Sequence, residues 1–329
     1  MRARSSSSIY WMESTQMSLN KVMVRSPATI ANLGPGFDVF GIALKEPADL
    51  IEVRRTTEKG VRVEKIEGIG AHGVTIDNSR NTAAVAAQKV LEMANADFGL
   101  RMCIKKGIRP ASGMGSSGAS AAGGAYAANL MLETAFPVEK LVYCAALGEE
   151  ASSGSRHADN AGPALLGGFT IIRSYEPMEI VRVNPPANLG IVAMLPSFAV
   201  PTREARKVLP KSIDLKSLVF QVGHASSLVA GMANKDVKLV ARSMKDVVVE
   251  PARTAMNPHL KEAEDAAIKG GALAAFLGGS GPCIGAIFDI NDTDGVEIAR
   301  SVQAFFENHG IDCLSWVTTW GEGCRRVME

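Results

Sequence analysis

Residues 112–120 read SGMGSSGAS, set between a strand-like stretch over Leu100–Arg109 and the run ASAAGGAYAANLMLETA of small, helix-compatible residues. A strand, a loop and a helix follow one another here. Gly113, Gly115 and Gly118 let the backbone approach a ligand closely, and Ser116 and Ser117 bring hydroxyl donors. The first turn of the following helix offers unpaired N–H groups at the positive end of the helix dipole. This combination suits a phosphate. The dipole contributes only ~0.3–1 kcal/mol per charge, so a polyphosphate needs several N–H donors and a metal as well. No GxxxxGK[ST] string is present, which excludes a Walker-type loop. No GxGxxG with a nearby acid occurs in a short βαβ unit, which argues against dinucleotide binding.

Outward from this loop, 329 residues suggest about two domains. Thirty-five Lys and Arg against 34 Asp and Glu give a formal charge of +1, and no long basic run appears, so neither nucleic acid nor an anionic membrane is an expected partner. Five cysteines, an odd number with no CxxC pair, point to a reducing, cytoplasmic compartment. No stretch of eighteen apolar residues is present. Residues 1–17 read as a disordered tail. Lys21–Ser26 alternates as a strand that Pro27 is expected to stop, and Gly34, Gly36 and Gly41 mark a tight buried loop. Residues 50–76 read as a strand meander, and Thr82–Met93 as a helix capped by Asn81 or Ser79. Pro137–Ser152 reads as a second helix and residues 168–173 as a strand. Two helical patterns occupy 213–245, and from His259 the order is helix, strand, glycine loop, strand, helix, strand. This final pattern is an α+β sandwich.

Three strings in order, PATIANLGPGFDVFGIAL at 27–44, PASGMGSSGASAAGG at 110–124 and LGGSGPCIGAI at 277–287, resemble the motifs of the GHMP kinases. RHADNAGPALLGG, PTREARKVLP and VEPAR extend the resemblance over residues 21–325 to the branch whose acceptor is L-homoserine. Met114 stands where that pattern has Leu and Gly118 where it has Ala; both keep the loop small or apolar. The resemblance implies an α+β two-domain fold, with an ATP-binding domain of mixed strands and helices over 18–188 and a ferredoxin-like domain over 189–329. It implies ATP and Mg2+ as cofactors, transfer of the γ-phosphoryl group to the side-chain hydroxyl of homoserine on the route to threonine, and a homodimer.

Residue chemistry supports a division of labour. On PVEKLVYCAALGEEASS, Glu149 falls in line with Val138, Val142 and Ala145, the apolar face, whereas Glu150 follows Glu139 and Tyr143. An inward acid needs a partner, so Glu149 is the candidate magnesium ligand, with a hydroxyl from Ser116 or Ser117. The resemblance adds Asn81, Pro110, Ser112, Gly113, Met114, Gly115, Gly118 and Ala119 as nucleotide contacts. A zwitterionic substrate needs an acid for its ammonium and a guanidinium for its carboxylate. By resemblance, Asp38 and Asn32 serve the amine, Thr202, Arg206 and Arg253 the carboxylate, and His157 and Asn160 the reacting hydroxyl. Gly279 belongs to the loop that closes on the substrate. Asp159 reads either as a base or as a structural acid; the resemblance implies no dedicated base, which suits a transfer driven by positioning and electrostatics. A kinase for mevalonate or shikimate is the alternative, disfavoured because those anions have no ammonium for Asp38. A non-catalytic, ligand-sensing homologue is disfavoured by the retention of Glu149, Asp38 and both arginines.

Overall fold

The structure, a computed structural model, describes residues 19–154 and 156–328; the tail expected over 1–17 lies outside the described residues. The first sheet contains β1 (Lys21–Asn32), β2 (Gly36–Thr56), β3 (Gly60–Glu67), β4 (Gly99–Lys105), β5 (Phe169–Tyr175) and β6 (Met178–Val183), and takes β11 (Arg325–Val327) from the end of the chain. Against it lie α1 (Thr82–Met93), α2 (Ser116–Leu130), α3 (Val138–Ser153) and α4 (Ala161–Leu166). The second sheet is formed by β7 (Leu189–Pro196), β8 (Ala274–Leu277), β9 (Ile284–Asp289) and β10 (Cys313–Thr319), in the order β10-β7-β9-β8. Its pairings are all antiparallel. Helices α9 (Leu260–Lys269) and α10 (Val296–Glu307) pack on it through Leu260, Ala263, Ile298, Val302 and Phe306. That order and connectivity make the expected ferredoxin-like sandwich. Between β7 and β8 the chain also forms α5 (Thr202–Lys207), α6 (Leu215–Asn234), α7 (Val237–Ser243) and α8 (Val249–Arg253).

Three local expectations are corrected. Pro27 does not stop β1, which continues to Asn32. The ladder with β2 shifts register between Pro27 and Thr29, and such an irregularity tolerates a residue with no N–H to donate. Gly36 and Gly41 lie inside β2 rather than in a loop; a Cβ at Gly41 would stand 1.9 Å from the Asp159 carbonyl oxygen, so the glycine permits that approach. Residues 50–76 are not a meander. β3 pairs parallel with β4, as a strand–helix–strand crossover through α1 dictates.

α1 spans the expected Thr82–Met93, and the Asn81 side chain accepts from the N–H groups of Ala83 and Ala84. The small residues of α2 serve close packing: a Cβ at Gly124 would meet the Ala83 carbonyl oxygen at 2.3 Å. A second apolar core, including Ile30, Ile42, Phe169, Ile191 and Phe276, joins the two sheets and is closed by Leu228, Met232 and Val240 from α6 and α7. No helix among the described residues is long and apolar enough to cross a membrane.

Candidate active site

A cleft of about 450 Å³ runs along the junction of the two sheets, and residues from every motif described above line it. On one side is the loop from β4 to α2. Gly113 (φ 75°) and Gly115 (φ 64°) are left-handed, and Gly115 precedes α2 without any side-chain cap. The first-turn N–H groups of α2 are therefore not claimed by a capping side chain. A Cβ at Gly115 would lie 2.0 Å from Thr29 Oγ1 and 2.6 Å from Asn160 Oδ1, so only glycine fits this corner.

Glu149 on α3 is buried, as its helical position predicts, and accepts a 3.1 Å hydrogen bond from Ser117 Oγ. Burial pushes its carboxyl up to about 7, with the Ser117 bond opposing. Glu150 faces outward to Arg156 at 3.2 Å. Ser116 turns away: its hydroxyl donates to Ile108 O at 2.9 Å, so Ser117 is the serine beside Glu149. Pro110, Ser112 and Gly113 line the cleft, whereas Met114, Gly118 and Ala119 lie behind its wall; Met114 packs in the core and accepts from Thr29 N–H at 3.2 Å. Asn81 lines the cleft with both ends of its amide engaged, its Nδ2 donating to Thr75 O at 2.8 Å and its Oδ1 capping α1.

The opposite side gathers the remaining candidates. Asn32 (φ 75°) and Asp38 (φ 58°) flank the turn between β1 and β2 in left-handed conformations, which Asn and Asp tolerate better than most residues. Asn32 Nδ2 donates to Gly279 O at 2.9 Å and its Oδ1 accepts from Asp38 N–H at 3.3 Å. Arg206 on α5 donates through Nη2 to Asp38 Oδ1 at 2.6 Å and contacts His157 Nδ1 at 2.9 Å. Burial and the Arg206 charge hold His157 down to about 4, so its ring is neutral near pH 7 and Nδ1 accepts from the guanidinium. Arg253, 2% exposed, donates from Nη1 to Gly279 O at 2.8 Å and from Nε to Ala205 O at 3.2 Å. Burial lowers it to about 10, where it still carries its charge at neutrality. Thr202 Oγ1 stands 3.4 Å from Ser280 Oγ. Asn160 Oδ1 accepts from Thr29 Oγ1 at 2.8 Å, at the corner where the two sides meet. Asp159 is buried beside it, and burial together with the Asp38 charge pushes its carboxyl up to about 7.

Three cleft residues escaped the sequence reading. Lys106 is buried under the glycine loop, paired with Asp49 and donating to Ser116 O at 3.0 Å and Ser120 Oγ at 2.8 Å. Its partners come from β2 and α2, so no local spacing announces it. Arg80 lines the cleft beside the Asn81 cap. Phe37 lies beneath both guanidinium groups, 5.4 Å from Arg206 and 5.3 Å from Arg253, within cation–π range. An aromatic residue next to Asp38 was the available signal.

Comparison with known proteins agrees with this geometry. Residues 81–168 match the GHMP kinases N terminal domain, and residues 228–308 match GHMP kinases C terminal. The chain is 43% identical to a homoserine kinase from Thermococcus gammatolerans over 91% of its own length and 98% of that protein's. It is 38% identical to one from Pyrococcus abyssi, over 93% and 99%. The crystal structure of homoserine kinase from Cytophaga hutchinsonii superposes with a TM-score of 0.88 at 34% identity, covering 97% of this chain and 100% of that one. An L. major mevalonate kinase in complex with R-mevalonate, 16% identical with a TM-score of 0.69 over 94% and 99%, shares the fold.

Proposed function

Since this chain belongs to the GHMP kinases, in their homoserine kinase branch, we propose how its cleft carries out that reaction, the ATP-dependent phosphorylation of the side-chain hydroxyl of L-homoserine. The observation that carries the reading is the Arg206–Asp38 ion pair at 2.6 Å, with the buried Arg253 close by and the glycine loop across the cleft. A zwitterion satisfies both members of that pair. Its ammonium takes Asp38 and its carboxylate takes Arg206 and Arg253, so each member of the half-buried pair exchanges one opposite charge for another. Asn32 and Gly279 position this end, Thr202 supports it through Ser280, and His157 holds Arg206 in place.

The nucleotide's phosphates lie along Pro110–Ser117, received by the first-turn N–H groups of α2. Lys106, its charge balanced by Asp49, braces this turn from below through Ser116 O and Ser120 Oγ. Magnesium fits the residues present: Glu149 is a buried acid next to Ser117 Oγ, and hard oxygen ligands in small number, completed by phosphate oxygens, are what this ion takes. When bound, magnesium supplies neutralisation of charge on the transferring phosphoryl group. Asn160, fixed by Thr29, orients the acceptor hydroxyl between the two sides. Positioning and electrostatic stabilisation, with no dedicated base, suffice for a loose phosphoryl-transfer transition state.

The test is ATP consumption by purified protein with homoserine, serine, threonine and mevalonate in turn. Turnover with homoserine and none with mevalonate is the expected result. Mevalonate turnover with none of homoserine overturns the reading.

A further inference from the structure

Of the stretch VEPAR, 249–253, only Arg253 lines the cleft. Glu250 stands one turn before it on the same side of α8. Its side chain is mostly buried, 13% exposed, and Oε2 accepts from the N–H of Leu277 at 3.0 Å. β8 is the edge strand of its sheet, and Gly278 N–H donates inward to Cys283 O at 2.8 Å. Alternation along the strand therefore turns the Leu277 N–H outward, toward α8. Leu277 is buried, and a buried backbone donor at a sheet edge needs such a partner. Two residues further on, Gly279 O accepts from Arg253 Nη1 at 2.8 Å and from Asn32 Nδ2 at 2.9 Å. The end of β8 and the glycine loop are thus gripped at two points by side chains one helical turn apart. Asn257 adds a third point: its Nδ2 donates to Arg253 O at 3.0 Å, and a Cβ at Gly281 would stand 2.0 Å from its Oδ1. The start of α8 is held by Asp246, whose carboxylate accepts from Val248 N–H and Glu250 N–H, both at 2.8 Å. The other oxygen of Glu250 pairs with Lys261 of α9, which also binds Glu264 at 2.9 Å.

We propose that Glu250 is a positioning residue for the acceptor end of the cleft: by holding Leu277 N–H it sets how far α8 stands from the glycine loop, and so fixes Arg253 and Gly279 O where a carboxylate is received. The inference rests on the reading of Arg253 as a partner of the substrate carboxylate. The guanidinium fork is rigid and already commits Nη1 to Gly279 O and Nε to Ala205 O. A shift of the loop against the helix would break those bonds or swing the remaining N–H groups away from the substrate. Misplacement by about 1 Å in such a constellation costs on the order of a hundredfold in rate. The ammonium end is tied to the same point, since Asn32 binds both Gly279 O and Asp38 N–H. Reach, rather than charge, is what this role asks of Glu250.

The experiment compares Glu250→Gln with Glu250→Asp in steady-state kinetics of the full chain. Gln keeps an oxygen within reach of Leu277 N–H and gives up the charge; Asp keeps the charge and is one methylene short. The expected KM for homoserine is within about twofold of wild type for Gln and raised roughly tenfold for Asp, with the KM for ATP unchanged in both. A residue that served only as a charge partner for Lys261 would give the reverse order. Adding Glu250→Asp to Arg253→Met should lower kcat/KM for homoserine by less than about twofold further, because the first substitution acts through the guanidinium that the second removes. Glu264→Gln is the control: it hydrogen-bonds to Lys261 but to neither Leu277 nor Arg253, and the KM for homoserine should stay put. A reversed order of Gln and Asp, an equal rise in the KM for ATP, full additivity with Arg253→Met, or an equal rise in the control would each overturn the inference alone. Absence of homoserine turnover by the wild type would overturn the assignment of the cleft, and this inference with it.

Discussion

Replacing Arg253 with Lys keeps the charge and removes the fork. In the structure the guanidinium reaches two backbone carbonyls at once, Gly279 O at 2.8 Å and Ala205 O at 3.2 Å, while lying 5.3 Å from the Phe37 ring centroid. An ammonium is a compact point charge and cannot span both carbonyls while also facing a substrate carboxylate. One buried carbonyl loses its donor, and a hydrogen bond to a charged group contributes about 1.5–3 kcal/mol. Where that loss falls on substrate binding, it amounts to roughly a tenfold to hundredfold rise in the KM for homoserine. The carboxylate is held alike before and during transfer, so kcat should change little and the KM for ATP should stay put. A coupled assay of ADP release, varying homoserine at saturating ATP and then the reverse, separates these terms, and urea unfolding gives the structural share. A KM for homoserine within twofold of wild type, accompanied by lost stability, would reduce Arg253 to a tie between loops and refute the reasoning.

Glu149→Gln should lower kcat by ~100-fold or more, as expected when an acid that supports metal-assisted charge stabilisation is neutralised. It should also stabilise the nucleotide-free protein in base: the rise of this carboxyl from 4.5 to about 7 means that the folded state binds the proton more tightly, so stability falls as pH rises between those values, and Gln escapes a cost of about 3 kcal/mol at pH 8. Urea unfolding at pH 4 and pH 8 checks the sign, because no gain at pH 8 contradicts it. Asp38→Asn should raise the KM for homoserine at least ~tenfold and spare that for ATP, since the amide retains the shape but not the charge for an ammonium. Gly115→Ala forces a side chain into a left-handed position 2.0 Å from Thr29 Oγ1, and strain of about 1–3 kcal/mol should appear both as a lower melting temperature and as weaker ATP binding by calorimetry. An undisturbed ATP affinity would detach this loop from the nucleotide.

The sequence was enough to locate the glycine loop, the Thr82–Met93 helix, the inward turn of Glu149 and the helix–strand order of the closing α+β sandwich, because each depends on local propensity or on a 3.6-residue period; that the sandwich is ferredoxin-like came from the family resemblance, and the choice of Asn81 over Ser79 as cap from the structure. Motif and charge type also singled out Asp38, Arg206 and Arg253, which the fold brings to one side of the cleft; their part in holding a zwitterion is the proposal made above. Only the tertiary structure decided that Ser117 and not Ser116 faces Glu149, that Arg206 is already engaged with Asp38 and His157, and that Pro27 lies within a strand. Lys106 is the clearest case: its partner Asp49 is 57 positions away and its hydroxyl partner is on another element. Such contacts are set by strand register and by the crossing of helix and sheet, and the energy that fixes them is burial shared among many residues rather than any preference written at one position.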